Sequence, residues 1–156
     1  MRMLAIVLFA FLATTQASAQ TAASKTGQEE AVRTVVAEFG KRLRQVSVLA
    51  PKQMAAAAMD QAYATYVAAD LLAAWKKDPE KAPGKRTSSP SPERIDVSTI
   101  KASGRDAFNV TGEVILLTAK ERRDGGVFAA NPVTMMVAKR GGRWLITAYE
   151  ESEGSQ

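Results

Sequence analysis

The chain contains neither cysteine nor histidine. Without cysteine there is no disulfide, no thiol chemistry and no lipid anchor through an N-terminal Cys. Without histidine the commonest general base and the commonest zinc ligand are gone. Any catalysis would have to run on carboxylates, lysine, tyrosine or serine. Aromatic residues are scarce at 6%. No G-x-S-x-G nucleophile elbow occurs, and Gly84-Lys85 lacks the preceding glycine of a Walker-type phosphate cradle. No carboxylate pattern at helical spacing suggests a di-metal site. These absences lead to the expectation of no metal, no cofactor and no catalytic residue that can be named, and the chain reads as leaning away from an enzyme.

What is present is enough for one domain. Hydrophobic residues make up 46% of 156 residues and charged residues 24%, which supplies a single core and the ordinary share of solvated surface. The formal net charge of +5 suits solubility and a weak preference for anionic surfaces. It is too scattered for nucleic acid, which calls for a basic stripe with aromatics interleaved.

Residues 1–19 read as a cleavable secretory signal. Arg2 gives a positive start, Leu4 to Ala13 an apolar run, and Ala17-Ser18-Ala19 the small-x-small pattern that signal peptidase reads, with Gln20 as the mature start. The apolar run is short of the ~20 residues that span a bilayer. A periplasmic or secreted location follows, with no stable membrane insertion after cleavage. Residues 20–27 have the small, polar composition of a flexible leader.

A single domain is expected over residues 28–149, with 150–156 as an acidic tail that frays. Thr26-x-x-Glu29 reads as a capping box. Val32, Val35, Val36, Phe39, Leu43 and Val46 then recur at helical spacing and form one apolar face on a helix from Glu29 to Leu49. Pro51 stops that helix. Lys52 to Lys77 is a second helical stretch, read as two pieces with a break near Tyr66 and Asp70 in the first turn of the second. Residues 79–93, rich in proline and serine, form a loop. Strands are expected over 94–102, 107–119, 133–138 and 143–149, with Pro132 opening the third and Arg140-Gly141-Gly142 a tight hairpin. The fold class is α+β: N-terminal helices packed on a curved antiparallel sheet of about four strands.

The helix Glu29–Leu49, the short helix around Val67-Ala68-Ala69-Asp70-Leu71-Leu72-Ala73-Ala74-Trp75 and the terminal hairpin from Met135 to Ile146 carry a resemblance. In this order they resemble the NTF2-like (cystatin-like) superfamily, in a branch of exported bacterial proteins. The resemblance implies a cone-shaped cup between sheet and helices. Superfamily members use such a cup as an enzyme site, a small-molecule pocket or a partner surface.

Candidate site residues were weighed against plainer readings. Tyr63, Tyr66 and Asp70 combine a carboxylate with phenols, fit for proton transfer if burial raised the acid's pKa; the plainer reading is an exposed acid beside two packing tyrosines. Trp75, Phe108, Met135, Met136 and Trp144 are apolar enough to line a ligand cup; the plainer reading is core. Adjacent on a strand, Met135 and Met136 face opposite sides, so only one can reach the cup. Lys76, Lys77, Lys81, Lys85 and Arg86, followed by Thr87-Ser88-Ser89, offer cations and hydroxyls for an anion, or simply a solvated loop. Asn109-Val110-Thr111 is read as a chance sequon.

Together these point to a non-enzymatic exported module binding a small apolar ligand or an envelope protein, with a homodimer as a further partner. The alternatives are a small isomerase or hydrolase using Asp70 and a tyrosine, or a structural subunit of an envelope secretion or conjugation assembly.

Overall fold

A computed structural model describes residues 16–152 and Gly154, with side chains from Ser24 onward. Most of the expected signal, residues 1–15, lies outside the described residues. Three helices come first: α1 (Gln16–Arg42), α2 (Lys52–Tyr63) and α3 (Ala69–Lys77). The strands follow: β1 (Ser91–Ala102), β2 (Ala107–Leu117), β3 (Ala129–Arg140) and β4 (Arg143–Glu151), with a short helix α4 (Ala119–Asp124) between β2 and β3. The sheet is an antiparallel meander in the order β1-β2-β3-β4. The α+β expectation of helices followed by a four-stranded sheet holds.

The apolar stripe of α1 explains how the layers meet. Val32, Val36, Phe39, Leu43 and Val46 are all fully buried, and α1 packs chiefly on β1. Each such side chain contributes ~1.5–3 kcal/mol on full burial, so this face anchors the helix to the sheet. Close approach is built into the helix at Gly40: a Cβ there would lie 2.6 Å from the backbone nitrogen of Ile95 on β1. The same device recurs at Gly112 on β2, where a Cβ would collide with the Asp96 carbonyl. Register shifts between Val97 and Thr99 and between Met136 and Val137 bend the strands and increase their twist.

Three expectations about the helices are corrected. The helix does not begin at Thr26; α1 runs continuously from Gln16, so residues 20–27 are helical, and the expected cleavage point after Ala19 falls inside it. Alanine-rich sequence ahead of Thr26 extends the helix through the capping signature, because alanine costs the helix nothing. Nor does the helix reach Leu49. It ends at Arg42, tightens into a 3₁₀ turn over Leu43–Gln45, and passes through Ser47, which bridges to Lys85. Val46 is buried because that turn folds it inward. The break near Tyr66 is found as expected: the chain leaves helix after Tyr63, Val67 bridges to Ile146 on β4, and Asp70 sits in the first turn of α3.

The strands are longer than their sequence pattern at several ends. β1 starts at Ser91 and contains Pro92, which an edge strand tolerates. β3 starts at Ala129, so Pro132 lies within it rather than at its start. The carbonyl of Pro132 accepts from Ser152 N–H on the β4 side. The proline nitrogen faces the same side, beyond the last pair Val133–Glu151, so the missing N–H forfeits only one bond at the frayed end of the ladder. β2 ends at Leu117 rather than at 119, and α4 follows it, opened by a true capping box: the Thr118 hydroxyl accepts from Lys120 N–H, and the Glu121 carboxylate takes the Thr118 N–H and hydroxyl. Arg122 of this helix and Arg44 in the 3₁₀ turn after α1 both bind Glu93 at 2.9 Å, tying that turn, β1 and α4 together.

Candidate ligand cavity

Most of the residues expected to line a cup pack into the core or against it. Phe39, Tyr63, Trp75 and Tyr149 form an aromatic cluster with centroids 5.0–6.4 Å apart, mostly tilted or edge-on, the arrangement ring quadrupoles favour. The seven expected cup residues are placed as follows. Tyr63, Trp75, Phe108 and Met135 are buried core. Tyr66 is half-buried against that core. Trp144 is half-buried, edge-on to Phe108 at 5.4 Å, with the Lys139 ammonium 5.9 Å from its ring centre. Asp70 is exposed. Met136 is half-buried on the opposite side of β3 from Met135.

An open cavity of ≈ 560 Å³ lies instead at one end of the sheet, and none of those seven residues lines it. The antiparallel register brings the start of β1, the end of β2, the start of β3 and the end of β4 to this end. Leu116, Asn131 and Glu151 therefore meet there, covered by the loop that runs from Lys81 to Pro92. That loop is held down by the paired main chains of Val46 and Lys85 and by the buried Tyr63 hydroxyl, which donates to Pro83 O at 2.8 Å. Leu43, Pro83, Pro92 and Leu116 supply apolar wall.

Polar groups on the strand side are joined to one another. The Tyr149 hydroxyl donates to Glu151 Oε2 at 2.6 Å, and Asn131 Nδ2 donates to Glu151 Oε1 at 2.8 Å. Asn131 Oδ1 in turn accepts from Gly154 N–H. Glu150 and Glu151 thus belong to β4 and the cavity wall, although the sequence reads them as a fraying tail. Burial, and then the neighbouring Glu151 charge, pushes the Tyr149 phenol well above its ordinary pKa. The proton stays on Tyr149, which acts as a donor to the carboxylate.

Of the loop cations, Lys81, Arg86 and Thr87 beside them reach the cavity, and the others do not. Lys81 is paired with Asp78 at 2.9 Å and Lys76 with Asp60 at 2.6 Å. Arg86 Nη2 donates to Glu80 O at 2.8 Å, and the Thr87 hydroxyl is turned onto Pro90 O. Among the described residues no group of three or more acidic side chains could hold a metal ion. No described helix is long and apolar enough to cross a membrane.

No family model and no curated protein matches the chain. Among solved structures it is similar to an NTF-2 like protein of unknown function from Shewanella oneidensis MR-1. The two are 19% identical, and the match covers 88% of this chain and 100% of that one with a TM-score of 0.37. A likeness that distant carries nothing about activity. Helices ahead of a four-stranded antiparallel meander, with α1 laid across one face, are what define the architecture. The layout is α+β, with the helices first and the antiparallel meander after them. Within this layout the sequence singled out Lys81, Arg86 and Thr87 of the cavity as candidate anion ligands, but not the residues that the strands bring to it. Asn131 and Glu151 lie beyond the strand ends that the periodicity predicts, and Tyr149, at the last predicted strand position, reads as plain alternation.

Proposed function

We propose that the chain is an exported, non-enzymatic binding module that takes a small ligand into the cavity at the end of its sheet. The observation that carries this reading is the cavity itself: ≈ 560 Å³ of space in which an apolar wall faces several polar and charged side chains, a concave setting suited to a small molecule. Against catalysis stand the position of Asp70 away from the cavity and the proton held on Tyr149. Export is supported by the basic start, the apolar run and Ala17-Ser18-Ala19, and places the module in the periplasm or outside the cell.

The test has two arms. Native mass spectrometry of protein purified from a cell-envelope extract should show a bound small molecule that is lost in Leu116→Trp, a substitution that fills the cavity. An unloaded wild-type protein after exposure to whole envelope extract overturns the binding reading. N-terminal sequencing of the same material should begin at Gln20; Met1 on the native product overturns export.

A further inference from the structure

We propose that the cavity selects zwitterions, seating the ligand's anionic group on Arg86 and its cationic group on Glu151, in the manner of a short peptide with both termini free. This rests on the binding reading above and names the class of ligand.

The argument begins with charge pairing. Six ion pairs join the described residues, and neither Arg86 nor Glu151 takes part in any of them. Both line the same cavity, yet they do not bridge to each other. Each is held back by neutral partners. Arg86 gives one N–H to Glu80 O, leaving most of the five donors of a guanidinium unspent. Glu151 accepts one bond on each oxygen, from Tyr149 and Asn131, leaving about half of a carboxylate's acceptor sites. The two anchors come from different elements, the loop before β1 and the end of β4, so neither follows the other when it moves.

Both charges act on one phenol. Glu151 raises the Tyr149 pKa and Arg86 lowers it, so the cation and the anion lie within electrostatic reach of the same hydroxyl. Both anchors are exposed, so a ligand with a single charge would engage one and leave the other to solvent and its present partners. A ligand with both would meet a guanidinium suited to bidentate carboxylate binding and a carboxylate oriented by two donors. The apolar side of Leu43, Pro92 and Leu116 then receives the body between the two charges.

Isothermal titration calorimetry with four forms of one trileucine peptide decides the matter. The forms are the free peptide, its N-acetyl derivative, its C-terminal amide and the doubly blocked peptide. The free peptide should bind at least tenfold more tightly than either singly blocked form. In Glu151→Gln, whose single oxygen can still accept from Asn131 while its amide donates to the Tyr149 hydroxyl, the free and acetylated peptides should bind alike. In Arg86→Ala the free and amidated peptides should bind alike. Equal binding of the free and acetylated peptides to the wild type overturns the zwitterion and leaves the cavity as a site for anions. Equal binding of the doubly blocked peptide overturns it in favour of an apolar site. Binding by none of the four overturns it too, and the extract experiment above then decides separately whether the cavity holds any ligand.

Discussion

At the scale of single residues, two phenols make stability depend on pH. Tyr63 is fully buried and Tyr149 is pressed between Phe39 and Trp75. Burial is the first cause that raises both pKa values, with the Glu151 charge adding to each. In the unfolded chain they titrate near ~10. Their contribution is therefore fully present below about pH 10. It is lost as the pH rises beyond that, because only the unfolded chain releases the proton. Thermal melts between pH 8 and 11 should show Tm falling steeply above about 10, and Tyr149→Phe should make that fall shallower. An unchanged slope in the variant would place the alkaline sensitivity elsewhere. The same residues show what composition hides. Tyr63, Trp75, Phe108 and Met135 were attractive as cup lining because they are large and apolar. Those are also the properties of core side chains, and nothing in one sequence separates the two.

At the scale of elements, Gly40 is the tightest point between α1 and β1. In an exposed helix, glycine to alanine gains up to ~1 kcal/mol. Here the new Cβ meets the Ile95 backbone, and overpacking of this kind costs ~1–3 kcal/mol. Gly40→Ala should thus lower the urea midpoint rather than raise it. A raised midpoint would mean that helix and strand can part at this crossing without cost. Periodicity made α1 legible because one face is buried and the other solvated. The capping signature alone was less informative. Thr26-x-x-Glu29 lies inside a helix, whereas Thr118-x-x-Glu121 starts one. The difference lies upstream: alanine-rich sequence precedes the first, and a β-strand ending at Leu117 precedes the second. The ends of β3 and β4 were illegible because Pro132 and two glutamates resemble strand stops. Their tolerance comes from pairing partners that only the fold supplies.

At the scale of the molecule, charge is distributed unevenly along the sheet. The tips of the β1–β2 and β3–β4 hairpins lie side by side, with Lys139 N–H donating to Asp106 O. They carry Lys101, Arg105, Lys139, Arg140 and Arg143, all exposed and outside every ion pair of the described residues. Mutual repulsion there costs stability at low ionic strength and is screened by salt. Arg140→Glu should raise stability by ~0.2–1 kcal/mol in dilute buffer, in line with exposed charge pairs. The gain should fade in 0.5–1 M salt, where the Debye length falls to a few ångströms (~3 Å at 1 M). Chemical denaturation at the two ionic strengths measures both values, and a gain that survives high salt would point to packing instead.

The bond from Gly154 N–H to Asn131 Oδ1 bears on how the protein is handled. A purification handle or fluorescent fusion joined at Gly154 would start from the Asn131 wall, beside the mouth of the cavity. Cargo inserted at Gly141–Gly142, on the opposite rim of the sheet, would leave that doorway clear.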